Sequence, residues 1–422
     1  MYWKLKSEFG VFLPLLVLLQ ISVQMFRVSG LHNSQLLIDV GEKVIQRANP
    51  YIPMQPYGAF PGLVYWVINL FSFGFNSPII FLLLNLFGIF ALISFLLPDL
   101  KNKKKLSIFS ILLFTAPIRA LEANVQHTGI IFGSLVIGDL LYKSAANNKH
   151  PLLRQCIAIL FFLLAFEIKP QIALPFIFIW LIQERVMKTV YIILAEIISI
   201  HILIDIWVGR ILEFDHLKVW LYMKNDSLTI SEQTSFWKLL QMQDFIQLDW
   251  FKFSFGLYGI GLILLIYFVL RKPNVVLLRW AILLPTATAY LHLYDLVVFA
   301  IVVCYWAVYK MEFKGAIFLL GLITIPSRFN SLSEIINGLV FIFAVSLIIY
   351  LNQKEEIPQN KKVRFIESTL AFLSILIISR LTITLEEKVS IQVTVMMIIV
   401  IIWVNRNRYH SRRINIPEPL LL

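Results

Sequence analysis

Lys169 is the residue whose setting most demands a chemical explanation. It stands in Ala165-Phe166-Glu167-Ile168-Lys169-Pro170, between two apolar runs. An ionised side chain inside an apolar span costs about 2.5–3.5 kcal/mol on insertion scales, so such a lysine is expected to face a cavity and an anionic partner. A lipid phosphate would fit that role. Glu167 is not that partner in a regular helix, because positions i and i+2 point apart. Pro170 withdraws an amide donor and so frees a carbonyl nearby. The plainer alternative is a lysine whose stem lies along lipid while its head reaches the headgroups.

Asp39 is the second such residue. It lies in Leu36-Leu37-Ile38-Asp39-Val40-Gly41, an apolar setting that suits a general base, although an N-cap or surface aspartate would look the same. His292 and Asp295 are three residues apart, on one face if helical, and could form either a satisfied internal pair or an acid–base pair. The signatures of soluble enzymes are missing: there is no P-loop, no His-Glu-x-x-His and no paired Cys-x-x-Cys. The Gly256, Gly259 and Gly261 stretch falls in an apolar run, where close helix packing is the expected use. Cys156 and Cys304 read as buried thiols, without disulfide or zinc.

The elements that must position these groups are membrane helices. Of the 422 residues 59 % are hydrophobic and 15 % charged, against about 45–50 % and 25 % in soluble chains. The expected fold class is therefore an all-α polytopic membrane protein. Apolar runs occur at 9–28, 78–97, 106–118, 128–142, 155–168, 170–182, 189–208, 255–270, 280–291, 296–309, 315–325, 335–351, 365–380 and 391–404. The first follows Lys4 and Lys6, has no small-residue cleavage site, and reads as a retained signal-anchor. Taking alternate loops as cytoplasmic places 24 of the 37 basic residues inside, as the positive-inside rule requires, so the net charge of +12 reports topology and not nucleic acid. That parity needs Gly62 to Phe75 to lie on the outer surface without crossing.

Several runs of 12 to 15 residues would reach only about 18–23 Å, short of a hydrocarbon layer of about 30 Å. Their outer turns should therefore sit low and line a cavity, since polar backbone at that depth is tolerated only there. The turns carry Arg119, Glu122, Asn124, Gln126 and His127, then Glu167 and Lys169, then His292, Tyr294 and Asp295. Asp39 shares that outer side. The expected segments are a signal-anchor at 1–28, a first outer loop at 29–77 with the candidate Asp39, a core bundle at 78–325 including an outer loop at 209–254, and C-terminal spans with a basic cytoplasmic tail at 326–422.

An Asp soon after the first span, then Asn49-Pro50-Tyr51, a Pro-aromatic segment, Gln126 at an outer turn, Lys169-Pro170 in a broken span and a late His292 together resemble glycosyltransferase family eighty-seven. The likeness covers roughly residues 10–310 and is strongest at Asp39, Asn49-Pro50-Tyr51 and residues 165–170. It implies a GT-C-like multi-span bundle with an outward-facing cavity and a long first outer loop. It also implies transfer of mannose from polyprenyl phosphate to a lipid-anchored or glycan acceptor. Asp39 would then be the catalytic carboxylate and His292 a second active-site residue. Lys169, Arg119 and Arg328 would face the donor phosphate, and Asn49, Tyr51, Gln126, His127 and Asp295 would bind substrate. Where the family often has Gly-Gln followed by Asn, this chain reads Asn124-Val125-Gln126-His127-Thr128.

A lipid-phosphate sugar already carries a good leaving group, so one base suffices where a glycosidase needs two carboxylates. No clustered carboxylates occur at the outer turns, so no essential metal and no cofactor beyond the polyprenyl-phosphate sugar substrate is expected. The expected location is the plasma membrane, multi-pass, of the bacterial inner-membrane kind, with an extracytoplasmic site. Two rival classes share the features of a charged cavity: a lipid or glycan transporter or flippase, and another lipid-linked glycan polymerase or ligase. The chain lacks the repeated halves with matching broken spans that many transporters show.

Overall fold

The computed structural model describes residues 32–51, 57–72, 77–113, 115, 127–145, 150–183, 187–212, 215, 250–271, 275–287 and 297–310. Every element among them is helical. In chain order they are α1 (His32–Ile45), α2 (Ala59–Phe71), α3 (Ser77–Leu96), α4 (Asn102–Leu112), α5 (Thr128–Ala145), α6 (Pro151–Ile168), α7 (Pro170–Gln183), α8 (Met187–Val208), α9 (Trp250–Arg271), α10 (Val275–Leu283) and α11 (Val297–Lys310). A 3-10 turn, Leu284–Ala287, extends α10. Among the described residues two helices are long and apolar enough to cross a membrane, α3 over Ile79–Leu96 and α6 over Pro151–Ile168.

The helix ends differ from the expected runs in a consistent way. The runs 128–142 and 155–168 become helices of 18 residues, about 27 Å long, because α5 continues through Lys143 to Ala145 and α6 begins at Pro151. Proline is well placed there, since the first turn of a helix has no use for that amide. The added turns contain charges that find partners. Lys143 Nζ lies 2.8 Å from Asp139 Oδ1 one turn away, and Arg154 donates to Ser144 Oγ at 2.9 Å. The run expected at 280–291 likewise starts earlier, with α10.

Packing is closest where glycines meet. A methyl group on Gly88 of α3 would collide with the Gly129 carbonyl of α5, and one on Gly133 would collide with the Gly88 Cα. Small residues let two backbones approach in this way, and the seam is pinned by Asn85. The Asn85 amide donates to the Phe81 carbonyl at 2.9 Å, and its oxygen accepts the Ile130 amide at 3.2 Å. Ile130 belongs to the first turn of α5, whose amides have no intrahelical partner, so Asn85 caps that helix from its neighbour. Among the described residues the expected packing role is seen only at Gly261, which approaches the Leu284 side chain, whereas nothing comes within 4 Å of a methyl group placed on Gly256 or Gly259.

A second glycine contact joins α1 and α2, where Gly41 lies against the Gly62 carbonyl and Trp66. At 13 residues, about 20 Å, α2 is too short to cross a bilayer. It buries Ala59, Pro61, Gly62 and Tyr65 while exposing Val67, Leu70 and Phe71. The core of the bundle gathers Phe132, Phe162, Phe176 and Trp180, with the Trp180 ring edge-on to Tyr142 and Phe162 at 4.7 Å each. Trp180 also donates its indole N–H to Asp139 Oδ1 at 3.1 Å, which satisfies a carboxylate whose side chain is only 3 % exposed.

Candidate functional site

The break between α6 and α7 forms where the sequence places it. Pro170 cannot donate to a continuing α6, so the helix ends at Ile168 and Lys169 leaves it with φ −145° and ψ 84°. The chain turns tightly. The Lys169 amide still donates to Ala165, while its carbonyl already accepts the Ile172 amide at 3.0 Å and the Ala173 amide at 3.2 Å. Lys169 is therefore a single extended residue between two helices, half-buried, with its backbone fixed on both sides.

Polar groups from three other elements converge on this end of the bundle. Glu167, in the last turn of α6, has a side chain that is 8 % exposed, and its Oε1 lies 3.2 Å from His201 Nε2 of α8. The separation is that of an ion pair, while the angle falls short of a hydrogen bond. The other carboxylate oxygen lies against Gly58, the residue that opens α2, where any side chain would collide with it. Just before α5, the buried His127 contributes its Nδ1, 2.9 Å from the Tyr65 hydroxyl of α2. The Tyr57 and Tyr65 rings stand edge-on to the same imidazole, at 5.4 and 5.1 Å. Tyr65 is stacked on Phe81, and burial, with Tyr57 beside it, pushes its phenol well above the usual value, so it stays a neutral hydroxyl.

Asp39 lies mid-helix in α1, which excludes the N-cap alternative. Its neighbours Leu37, Ile38 and Val40 are buried, while the carboxylate itself is half-buried and accepts a hydrogen bond from Gln35 at 2.7 Å. Its link to Lys169 runs through α2, which packs on α1 at Gly41 and meets α6 at Gly58.

Asn49-Pro50-Tyr51 follows α1 as an ordered corner. The Asn49 oxygen accepts the Tyr51 amide at 3.0 Å, the local bond by which asparagine makes turns, and its amide donates to Asp215 Oδ2 at 3.0 Å. Arg210 holds the same Asp215 oxygen at 2.8 Å. The Tyr51 ring is buried with Val44, Ala59, Ile204 and Leu212. Beside this corner Arg47, at φ 57°, lies 4.4 Å over the Trp207 ring, whose N–H donates to the Val44 carbonyl at 3.0 Å. The first and second long loops are thus joined at this end.

Of the residues singled out from sequence, Asp39, Asn49, Tyr51, His127 and Lys169 lie among the described residues, linked only through the packing of α1, α2, α6 and α8 set out above. Arg119, Gln126, His292, Asp295 and Arg328 lie outside the described residues. Sequence reasoning missed the partnership of Glu167 with His201, although an ionisable histidine inside the apolar run 189–208 was a signal that could have drawn attention to it. Comparison with family models, with curated proteins and with solved structures finds no match to this chain.

Proposed function

We propose that this chain is a membrane glycosyltransferase that moves a sugar, mannose in the simplest case, from a polyprenyl-phosphate donor to a lipid-anchored or glycan acceptor on the extracytoplasmic side. Its fold in this reading is a GT-C-like polytopic bundle. The observation that carries it is the break at Lys169-Pro170, where a lysine leaves a 18-residue apolar helix beside Glu167, His201 and the start of α2. A cation at a non-helical point within apolar surroundings is a site for an anion that arrives through lipid.

The charges at the two ends of the helices support the orientation. Lys143, Arg154 and the basic stretch 101–105 lie at the helix ends opposite to those of Lys169 and His127, a distribution that supports an extracytoplasmic reading of the latter end under the positive-inside rule. Helix α8 exposes Tyr191, Leu194, Ile198, Ile202, Leu203 and Ile206, a continuous apolar face of the kind that lipid covers.

In the reaction, the acceptor hydroxyl oxygen attacks the anomeric carbon, and the bond from that carbon to the phosphate oxygen breaks with its electron pair leaving on the phosphate. Asp39 takes the hydroxyl proton. Lys169 stabilises the charge that grows on the departing phosphate, an effect commonly worth 10²-fold or more, as an order of magnitude. A radiolabelled polyprenyl-phosphate sugar supplied to membranes tests the proposal. Asp39→Asn keeps size and hydrogen bonding to Gln35 but cannot accept the proton, so transfer should fall by at least about 10²-fold with yield unchanged. Movement of labelled lipid across the membrane without transfer would instead identify a flippase.

A further inference from the structure

Glu167 and His201 have no part in the chemistry described above, yet they meet at 3.2 Å beside the Lys169 break, with side chains 8 % and 24 % exposed. His201 Nδ1 lies 2.6 Å from the Ile197 carbonyl, which can only accept, so Nδ1 carries a hydrogen. The second carboxylate oxygen lies against Gly58 at the start of α2, where the helix dipole favours negative charge.

The consequence is mechanical as well as electrostatic. Glu167 belongs to the last turn of α6, Gly58 opens α2 and His201 sits on α8, so three helices meet within two residues of the point where Lys169 leaves the helix. We propose that the Glu167–His201 pair is a positioning clamp that fixes the Lys169 break, and with it the lysine head, for the phosphate of a lipid-borne anion. The identity of that anion as polyprenyl phosphate rests on the transferase reading; the clamp itself rests on the contacts.

The test uses the full chain in nanodiscs and polyprenyl phosphate without a sugar as the probe, so that binding is read apart from transfer. Glu167→Ala and His201→Ala should each weaken binding about tenfold, since a small displacement of a charged contact has effects of that order. The double variant should be no worse than either single one. Glu167→Gln should recover most of the loss, because its amide can donate to the Nε2 of a neutral His201 and keep the three helices tied. Where Glu167→Ala does not accumulate, His201→Gln carries the same expectation. Additive losses, unchanged binding, or a Glu167→Gln variant as weak as Glu167→Ala would each overturn the clamp. Wild-type protein that binds polyprenyl phosphate through the clamp but transfers no sugar would remove the transferase reading and leave the clamp standing.

Discussion

The Tyr258 hydroxyl of α9 donates to the Gln171 carbonyl of α7 at 3.0 Å, and Gln171 is the residue whose helical partner Pro175 has removed. A proline inside a helix leaves the carbonyl four residues earlier without its amide donor. In apolar surroundings that carbonyl must be satisfied from elsewhere, and a side chain on a neighbouring helix is one of the few sources. Tyr258→Phe should therefore destabilise the protein by about 0.5–1.5 kcal/mol, the usual net worth of a hydrogen bond, at this part-buried acceptor. Pro175→Ala restores an amide at that position, so the cost of Tyr258→Phe should shrink in the double variant. Thermal unfolding of the four proteins measures this, and strictly additive losses would show that the hydroxyl does not serve the proline.

The glycine seams make a sharper contrast. Gly88→Ala and Gly129→Ala must push α3 from α5, because the new methyl meets backbone and not a movable side chain. Overpacking of this kind costs about 1–3 kcal/mol and sometimes more. Gly256→Ala and Gly259→Ala meet open space and replace a poor helix former with a good one, so they should leave stability unchanged or raised by about 0.5–1 kcal/mol. Expression and melting temperature of the four variants decide the matter.

Lys169→Met keeps the length of the stem and removes the charge. It should raise the donor KM or abolish donor use while the protein still accumulates in membranes, because the backbone bonds of the break do not involve the side chain. Unchanged donor dependence in well-expressed protein would leave the lysine as a residue that only reaches for headgroups.

Topology is open to a direct measurement. A cysteine introduced at Asn102 should be shielded from an impermeant thiol reagent applied outside, and one introduced at Arg210 should label. Both positions are exposed in the folded chain, so burial would not confuse the result. Labelling at both would put the Lys169 end and the basic stretch 101–105 on one side and remove the argument for an outer cavity.

Much of the helical order is legible from residue pattern. The apolar runs at 170–182, 189–208 and 296–309 correspond to α7, α8 and α11 within a few residues, and Pro170 announces the break that isolates Lys169. The errors have a common cause. Lys143 and Arg154 read as loop residues because charge normally ends an apolar span, whereas Asp139 and Ser144 satisfy them within or between helices and the helices run on. The partnership of Glu167 with His201 joins residues far apart in sequence, and only the packing of α6 on α8 brings them together. Glycine spacing misleads at Gly256 and Gly259 because small residues permit close approach without requiring it.

The buried Asp139 carries a consequence for the order in which the protein is made. Its cationic partner Lys143 lies on the same helix one turn later, whereas Trp180 belongs to α7, 41 residues downstream of Asp139. As the chain emerges from the ribosome, α5 can neutralise its own acidic residue as soon as its last turn forms, before α7 has been synthesised. The nascent helix therefore presents a compensated pair and not a naked anion to its apolar surroundings. The indole N–H then arrives later to a carboxylate already compensated, and it selects which downstream helix docks there.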